Sequence, residues 1–143
     1  SHGWVEETFC AKVEAEKLAV EVGESEDVVT AEFLSAFETM PSRGAEPPKE
    51  LAAYYRNDLG RPAVAYVYAS AGAAIATKQP DATLFVPSDV YAWRMLDEVC
   101  SSAYYAKQMS AGREACKEII DRADSGAAFV LEEALNRIKE NLE

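Results

Sequence analysis

The sequence of 143 residues predicts an all-α domain, in which antiparallel helical hairpins stack as a short right-handed solenoid with a C-terminal capping helix. Apolar residues recur at the spacing of one helical face in seven successive segments. The breaks within the pairs are short, which predicts that paired helices lie antiparallel and in contact. The centres of the pairs recur at intervals of about 34 to 45 residues, as in helical repeats.

The first hairpin is predicted to consist of helices over residues 5–22 and 26–40. The apolar face of helix one is formed by Val5, Phe9, Val13 and Val20. Gly23 follows it, and glycine is the usual residue just beyond a helix end. Ser25 can then cap helix two, and Pro41 stops that helix. The buried stripe of helix two is Val29, Phe33, Ala36, Phe37 and Met40.

The second hairpin follows a connection rich in proline, residues 41–48. Pro48 can occupy the first turn of helix three, where the missing N–H costs no helical hydrogen bond. The face of this helix consists of Leu51, Tyr54, Tyr55 and Leu59. Gly60 breaks helix three and Pro62 starts helix four. Residues 64–68 alone would suit a strand, but the flanking alanines and the length of the segment favour a helix.

The third hairpin covers residues 90–120. Helix five carries Ala92, Leu96, Val99, Cys100, Ala103 and Ala106 on one stripe, and helix six carries Gly112, Ala115, Cys116 and Ile119. Only residues 108–110 separate the two helices, and small residues would let their backbones approach closely. After a turn at residues 124–126, helix seven is expected to cover the last hairpin. Its face consists of Leu131, Ala134, Leu135, Ile138 and Leu142.

Small residues where helices cross, with aromatic residues in the gaps between them, are typical of tetratricopeptide-type (TPR) repeats. We therefore predict that residues 1–143 form a single TPR-like domain of about three hairpins and a cap. The N-terminus shows no signal peptide and both ends of the sequence look cut, so we expect this domain to be a fragment of a longer protein.

Composition excludes several classes of partner. Asp and Glu outnumber Lys and Arg by 25 to 14, for a net charge of -11, whereas binding to nucleic acid needs clustered positive charge. No apolar run approaches the roughly 20 residues of a membrane-spanning helix.

Cys10, Cys100 and Cys116 each fall on an apolar stripe, so we expect reduced, buried thiols and a cytoplasmic protein. A disulfide between Cys100 and Cys116 is the alternative.

The residues provide no catalytic or metal-binding constellation. The chain has one histidine, His2, so no metal site or acid–base pair can be built from histidines. The carboxylate pairs Glu6-Glu7 and Glu132-Glu133 are adjacent on a helix and point apart, unlike the facing pair that glycoside hydrolysis needs. We therefore predict that this chain is not an enzyme and holds neither a metal nor a cofactor.

Several short phrases occur in a fixed order along nearly the whole chain. They are Gly3-Trp4, Glu6-Glu7 and Phe9; Pro41, Arg43, Glu46-Pro47 and Tyr54-Tyr55-Arg56; Leu84-Phe85-Val86, Val90-Tyr91, Trp93-Arg94 and Leu96-Asp97-Glu98; Ala103-Tyr104-Tyr105, Gly112 and Ala115-Cys116; and Arg137-Ile138 with Asn141-Leu142. In these phrases the chain resembles the TPR-like C-terminal region of certain bacterial and large-virus glycosyltransferases. It departs from that pattern at Gly44 and at Asp58-Leu59. Because the chain lacks the D-x-D run of the transferase domain, the resemblance implies a non-catalytic accessory domain.

The candidate binding residues lie on two stretches that are expected to line the concave face of the solenoid, formed by the first helix of each pair. They are Tyr54, Arg56 and Asn57 in helix three and Tyr91, Arg94, Asp97 and Glu98 in helix five. The favoured interpretation of Arg94 and Glu98 is an ordinary i,i+4 ion pair. Four further residues are assigned structural roles: Arg43 and Glu46 as a loop ion pair, Trp93 as a gap filler and Gly112 as a close-approach position.

The acidic charge favours a basic segment as the partner, either from another protein or from the parent protein's own transferase domain. We expect the module to position the catalytic domain, its acceptor or a protein partner. Three alternatives stay open: a free-standing TPR-type adaptor, a carbohydrate-binding helical module and a purely structural spacer. The seven tyrosines could stack on sugar rings, although packing between helices explains them more simply.

Overall fold

A computed structural model describes residues 2–77, 80 and 86–142, and over these residues it contains helices and their connections but no strand. The α-helices are α1 His2–Glu21, α2 Glu26–Thr39, α3 Glu46–Ala53, α4 Pro62–Ile75, α5 Met95–Ser102, α6 Met109–Ser125 and α7 Glu132–Asn141. Two 3₁₀ turns, Pro41–Arg43 and Ala103–Ala106, and two π segments, Tyr54–Asp58 and Val90–Arg94, adjoin them. The prediction of an all-helical chain is confirmed for this part of the molecule.

The helix ends follow local signals in the sequence. Gly23 has a φ of 76° after α1, a backbone conformation that glycine adopts without the steric cost of a Cβ. The Ser25 hydroxyl caps α2 by accepting a hydrogen bond from the Val28 N–H at 3.4 Å. α4 begins at Pro62 and runs through residues 64–68, so the helix favoured there over a strand is confirmed.

Consecutive helices pack in pairs. The most extensive contacts join α1 to α2, α3 to α4 and α5 to α6, and α4 also packs closely on α5. The first helices of the pairs are neighbours as well, because α1 contacts α3 and α3 contacts α5. α7 lies against α5 and α6 and buries Ile138 completely. The last helix therefore covers the third hairpin, as expected of a closing helix.

Two glycines permit close contacts between helices. A Cβ added to Gly112 would lie 2.8 Å from Ala103 Cβ, and one added to Gly72 would lie 2.5 Å from Met95 Sδ. Both distances are shorter than van der Waals contact. At Gly112 the neighbouring atom is a Cβ, which cannot move aside without its backbone, whereas at Gly72 the flexible Met95 side chain would have to shift. This is the close approach that the sequence analysis expects at Gly112.

A few predicted core positions differ in the structure. Val5 and Leu131 are 37% and 49% exposed, because Val5 lies near the free end of α1 and Leu131 precedes the first turn of α7. Of the phrase Leu84-Phe85-Val86, the first two residues lie outside the described part of the chain. Val86 is half-buried and packs against the main core.

The two π segments lie where the apolar pattern predicts regular α-helix, and the pattern does not indicate them. A π turn leaves backbone groups out of the ordinary helical pairing. In the second segment, the carbonyl oxygens of Tyr91 and Ala92 accept hydrogen bonds from Arg122 Nη1 at 3.3 and 2.7 Å. Arg122 of α6 thereby satisfies backbone acceptors and ties its helix to the start of helix five.

The expectation of three reduced thiols is wrong. Cys100 of α5 and Cys116 of α6 form a disulfide, and Cys10 is a half-buried thiol. The two bonded residues meet because both lie on the stripes along which α5 and α6 pack. The prediction of a cytoplasmic protein was based on three reduced thiols. Because two of them form a disulfide, the cysteines no longer support that location. Among the described residues no helix is both long enough and apolar enough to cross a membrane.

Candidate functional site

The two predicted stretches come together through an ion pair. Arg56 Nε donates to Glu98 Oε2 at 3.1 Å, and Arg56 Nη2 donates to Glu98 Oε1 at 3.0 Å. Glu98 is buried and Arg56 is half-buried. This two-bond contact fixes the first π segment against α5, so neither charge is free to recruit a ligand.

The prediction that Arg94 pairs with Glu98 is wrong. Arg94 Nε donates to the carboxylate of Asp89, and the Arg94 guanidinium lies 4.6 Å from the centre of the Trp93 ring. Glu98 instead pairs with Arg56 of the first π segment, which offers it two N–H donors. Trp93 is 2% exposed and belongs to the main core, in keeping with its assignment as a gap filler.

Three candidate binding residues, Tyr54, Tyr91 and Glu98, are buried, so they do not form the exposed surface expected of them. The Tyr91 hydroxyl donates to Glu46 Oε2 at 2.7 Å, and burial together with this hydrogen bond raises the pKa of Tyr91 far above its usual range. The Tyr54 ring packs edge-on against the Tyr55 ring, with 5.5 Å between their centres. Both π segments thus turn these tyrosines into the core.

Arg43 is at the centre of a buried polar cluster. Its Nε and Nη2 atoms each donate to a Glu46 oxygen at 2.8 Å. Nη1 lies 3.4 Å from Glu6 Oε1 and 3.6 Å from Cys10 Sγ. Burial works against the charge, but the bonds to Glu46 raise the pKa of Arg43, so the guanidinium stays ionised. The expected pair of Arg43 and Glu46 is present, but it lies in the interior instead of on an exposed loop.

A groove of about 510 Å³ runs beside this cluster, between α1 and α3. Its apolar lining consists of Phe9, Cys10, Ala11, Val13, Pro87 and Val90. Four carboxylates, Glu7, Glu14, Glu46 and Glu50, outnumber the two cations of the lining, Lys17 and Arg43. Phe9, Val13 and Val90 are buried, whereas Glu7 and Glu14 are exposed. The groove therefore has an apolar base and a carboxylate edge, and we call it the acidic groove.

The acidic groove continues along the same two helices. A neighbouring cavity of about 260 Å³ shares Lys17 and Glu50 with it and adds Glu21, Asn57 and Asp58. Asn57, a candidate binding residue, is exposed at the far end of this path. The extension adds two more carboxylates, Glu21 and Asp58, and no further cation, so negative charge predominates along the whole groove.

A third cavity, of about 420 Å³, has different chemistry, and we call it the polar cavity. Its lining residues are Arg56, Asn57, Pro62, Ser101, Tyr105, Arg137 and Asn141. Asp97, another candidate binding residue, lies behind it and accepts hydrogen bonds from Arg137 Nη1 and Nη2 at 3.0 and 2.7 Å. Ser101, Arg137 and Asn141 were not predicted to be site residues, because residues this far apart in the sequence give no local signal that they meet.

Glu16 is a further residue that the sequence analysis did not single out. It is fully buried, and within the described ranges neither of its carboxylate oxygens has a hydrogen-bond partner. Burial, with a smaller contribution from nearby Glu50, raises the pKa of Glu16 to about 9. A signal was present, because Glu16 lies on the same helical stripe as Phe9, Val13 and Val20.

The described residues contain no group of three or more His, Cys, Asp or Glu side chains placed to hold a metal ion. Comparisons with protein-family models, with curated proteins and with solved structures find no match to this chain. The acidic groove and the polar cavity are therefore the two surfaces whose chemistry indicates a function.

Proposed function

We propose that this chain is a non-catalytic interaction domain that binds a basic, amphipathic protein segment in the acidic groove. The observation that supports the proposal is the combination of a buried apolar base with exposed carboxylates at its edge. In such grooves apolar anchors supply most of the binding energy, while surrounding charges select the partner and speed association. A helix with one apolar face and flanking Lys or Arg residues has the matching chemistry.

The helix contacts support a TPR-like right-handed solenoid as the architecture of this domain. The first helices α1, α3 and α5 are successive neighbours, as stacked hairpins require. Solenoids of this kind leave an extended surface beside their stacked core. The acidic groove is lined mainly by α1 and α3, with Val90 contributed from the start of helix five.

The resemblance to glycosyltransferase C-terminal regions favours a partner within the same protein. In that case the domain would position the catalytic domain or its acceptor by holding a basic segment of the transferase. A free-standing adaptor would use the same groove for a segment of another protein. The sequence immediately upstream distinguishes these cases, because a transferase domain would show strands and a D-x-D run, whereas an adaptor would show further helical repeats.

Binding can be tested with a fluorescein-labelled helical peptide of 14 residues, built from Lys and Leu with one leucine face, and with a scrambled peptide of the same composition. Fluorescence anisotropy at low and high salt gives the affinity. The test variant is Glu7→Lys/Glu14→Lys. The matched control is Glu24→Lys/Glu38→Lys, which alters net charge equally at exposed positions outside the groove.

We expect the groove variant to weaken binding about tenfold or more relative to the control variant, because local charge complementarity is lost in addition to net charge. The scrambled peptide should bind less tightly than the amphipathic one, and salt should weaken both. Equal losses in the two double variants, or equal binding of the two peptides, would show that only the overall negative charge attracts the peptide. Either result would refute the groove as the binding surface.

A further inference from the structure

The polar cavity gathers side chains from five elements. Arg56 and Asn57 come from the first π segment, and Pro62 begins α4. Ser101 lies near the end of α5 and Tyr105 in the following 3₁₀ turn. Arg137 and Asn141 belong to α7. The volume of about 420 Å³ falls within the range of small-molecule sites, about 300 to 1,000 Å³.

Tyr105 provides the cavity with an exposed aromatic ring. It is 56% exposed, and its neighbour Tyr104 is 60% exposed. The two rings meet edge-on, with 5.3 Å between their centres, and the Lys107 ammonium lies 6.0 Å from the centre of the Tyr104 ring. The Tyr105 ring is therefore accessible to a ligand from solvent. Packing explains the buried tyrosines of this chain, but it does not explain this one.

The two arginines of the cavity are already neutralised. Arg56 is bonded to Glu98 and Arg137 to Asp97, and both carboxylates are largely buried behind the cavity. Arg56 Nη1 also donates to Asn57 Oδ1 at 3.1 Å, and Arg137 Nη1 donates to Ser101 Oγ at 3.0 Å. The lining is thus a set of amide, hydroxyl and guanidinium groups with little net charge, in a chain of net charge -11. This electrostatic setting favours a neutral ligand over an anion.

We propose that the polar cavity binds a neutral sugar, with one pyranose ring stacked on Tyr105. A pyranose ring has an apolar face that packs on an aromatic side chain, and its edge of hydroxyls needs both donors and acceptors. The donor is the Asn57 amide nitrogen and the acceptor is the Asn141 amide oxygen, because the Ser101 hydroxyl already accepts from Arg137 at 3.0 Å and donates to Asp97 at 3.4 Å. This site uses residues other than the acidic carboxylates of the groove, so it does not depend on the function proposed above.

The two adjacent tyrosines provide a matched pair of variants. Saturation-transfer NMR can be recorded on the full chain with methyl glycosides of glucose, galactose, mannose and N-acetylglucosamine, and with inorganic phosphate followed by protein chemical shifts as the anionic control. The variants are Tyr105→Ala, which removes the ring from the cavity, and Tyr104→Ala, whose ring does not line it. Circular dichroism checks that both variants keep the helical fold, as expected for exposed positions.

We expect ring-proton signals from at least one glycoside, lost in Tyr105→Ala and changed less than about twofold in Tyr104→Ala. The Glu7→Lys/Glu14→Lys variant should bind the same glycoside normally, so failure of the groove and failure of the sugar site can be told apart. The proposal is overturned if no glycoside gives a signal that depends on Tyr105. It is also overturned if phosphate shifts the cavity resonances while the glycosides do not.

Discussion

Two buried carboxylates on α1, about three helical turns apart, lie in opposite environments. Glu6 Oε1 is 3.4 Å from the guanidinium of Arg43, which also forms an ion pair with Glu46. The Glu16 oxygens have no hydrogen-bond partner in the described part of the chain. A buried carboxylate is tolerable either beside a cation or in its protonated form. The N-terminal half of this domain uses both solutions, and they respond differently to substitution and to pH.

The largest effect is expected from Arg43→Met, which keeps much of the side-chain volume but removes the cation. The carboxylates of Glu6 and Glu46 would stay buried without their shared partner, so the free energy of unfolding should fall by about 3 to 5 kcal/mol. Urea denaturation followed by circular dichroism measures the change. The exposed Arg113→Met is the control and should shift stability by less than about 0.5 kcal/mol. Similar small losses in both variants would mean that the cluster contributes little to folding.

Glu16 should make the protein less stable as the pH rises. Its pKa is about 9 in the folded chain, against 4.5 for a glutamate carboxyl in water. The stability that its protonated form contributes is therefore fully present below pH 4.5 and is lost as the pH rises toward 9. The expected loss is about 1.4 kcal/mol per pH unit within this window. The charged groups that act on it are Glu50 and Glu32, which raise the pKa, and Lys17, which lowers it.

The comparison between wild type and Glu16→Gln isolates this contribution, because glutamine keeps the shape and cannot ionise. Urea denaturation at pH 6 and pH 8 should show wild type losing about 2 to 3 kcal/mol more than the variant over this interval. All other carboxylates are common to both chains and cancel in the difference. Parallel stability curves would show that Glu16 has an ordinary pKa and finds solvent or a partner in solution.

Tyr91→Phe should give the smallest effect. It removes only the hydroxyl that donates to Glu46 at 2.7 Å, while the Arg43 bonds to Glu46 remain. A hydrogen bond to a charged acceptor contributes about 1.5 to 3 kcal/mol, and the remaining partners should bring the loss to the lower end. Thermal unfolding of this variant can be compared with Tyr104→Phe, whose hydroxyl is exposed. A loss as large as that of Arg43→Met would show that the tyrosine, and not the arginine, organises the cluster.

Periodicity predicted the helices well because each α-helix here buries one stripe against a partner. The stripe of α2, with Val29, Phe33 and Ala36, is buried as predicted, and glycine, serine and proline signals fixed the boundaries of α1, α2 and α4. The π segments could not be predicted from the sequence. A π turn has one residue more than an α turn, which changes the direction in which side chains point but leaves no mark in the composition. Tyr91, in the second π segment, was predicted to face a ligand and is instead buried. Tyr54 is also buried, but its spacing from Leu51 already placed it on the apolar face of helix three.

The partners of charged residues were harder to predict than the helices. Spacing of four residues on one helix suggested Arg94 with Glu98, but Arg56 lies 42 residues from Glu98 in the sequence and forms the better bond. The ion pair between Arg43 and Glu46 was predicted because the two residues are close together in the sequence. The polar cavity depends on contacts between α7 and helices far from it in sequence, so only the fold could bring its residues together.

The disulfide between Cys100 and Cys116 has a mechanical consequence. It closes a loop with a sequence separation of 16, while the two Cα atoms are only 5.1 Å apart. An extended chain spans about 3.3 to 3.6 Å per residue, so the crosslink withholds about 50 Å of contour length from a molecule pulled by its ends. Reduction would release this length. Under tension, the third hairpin would therefore act as a tether whose reach is set by the redox state of its surroundings.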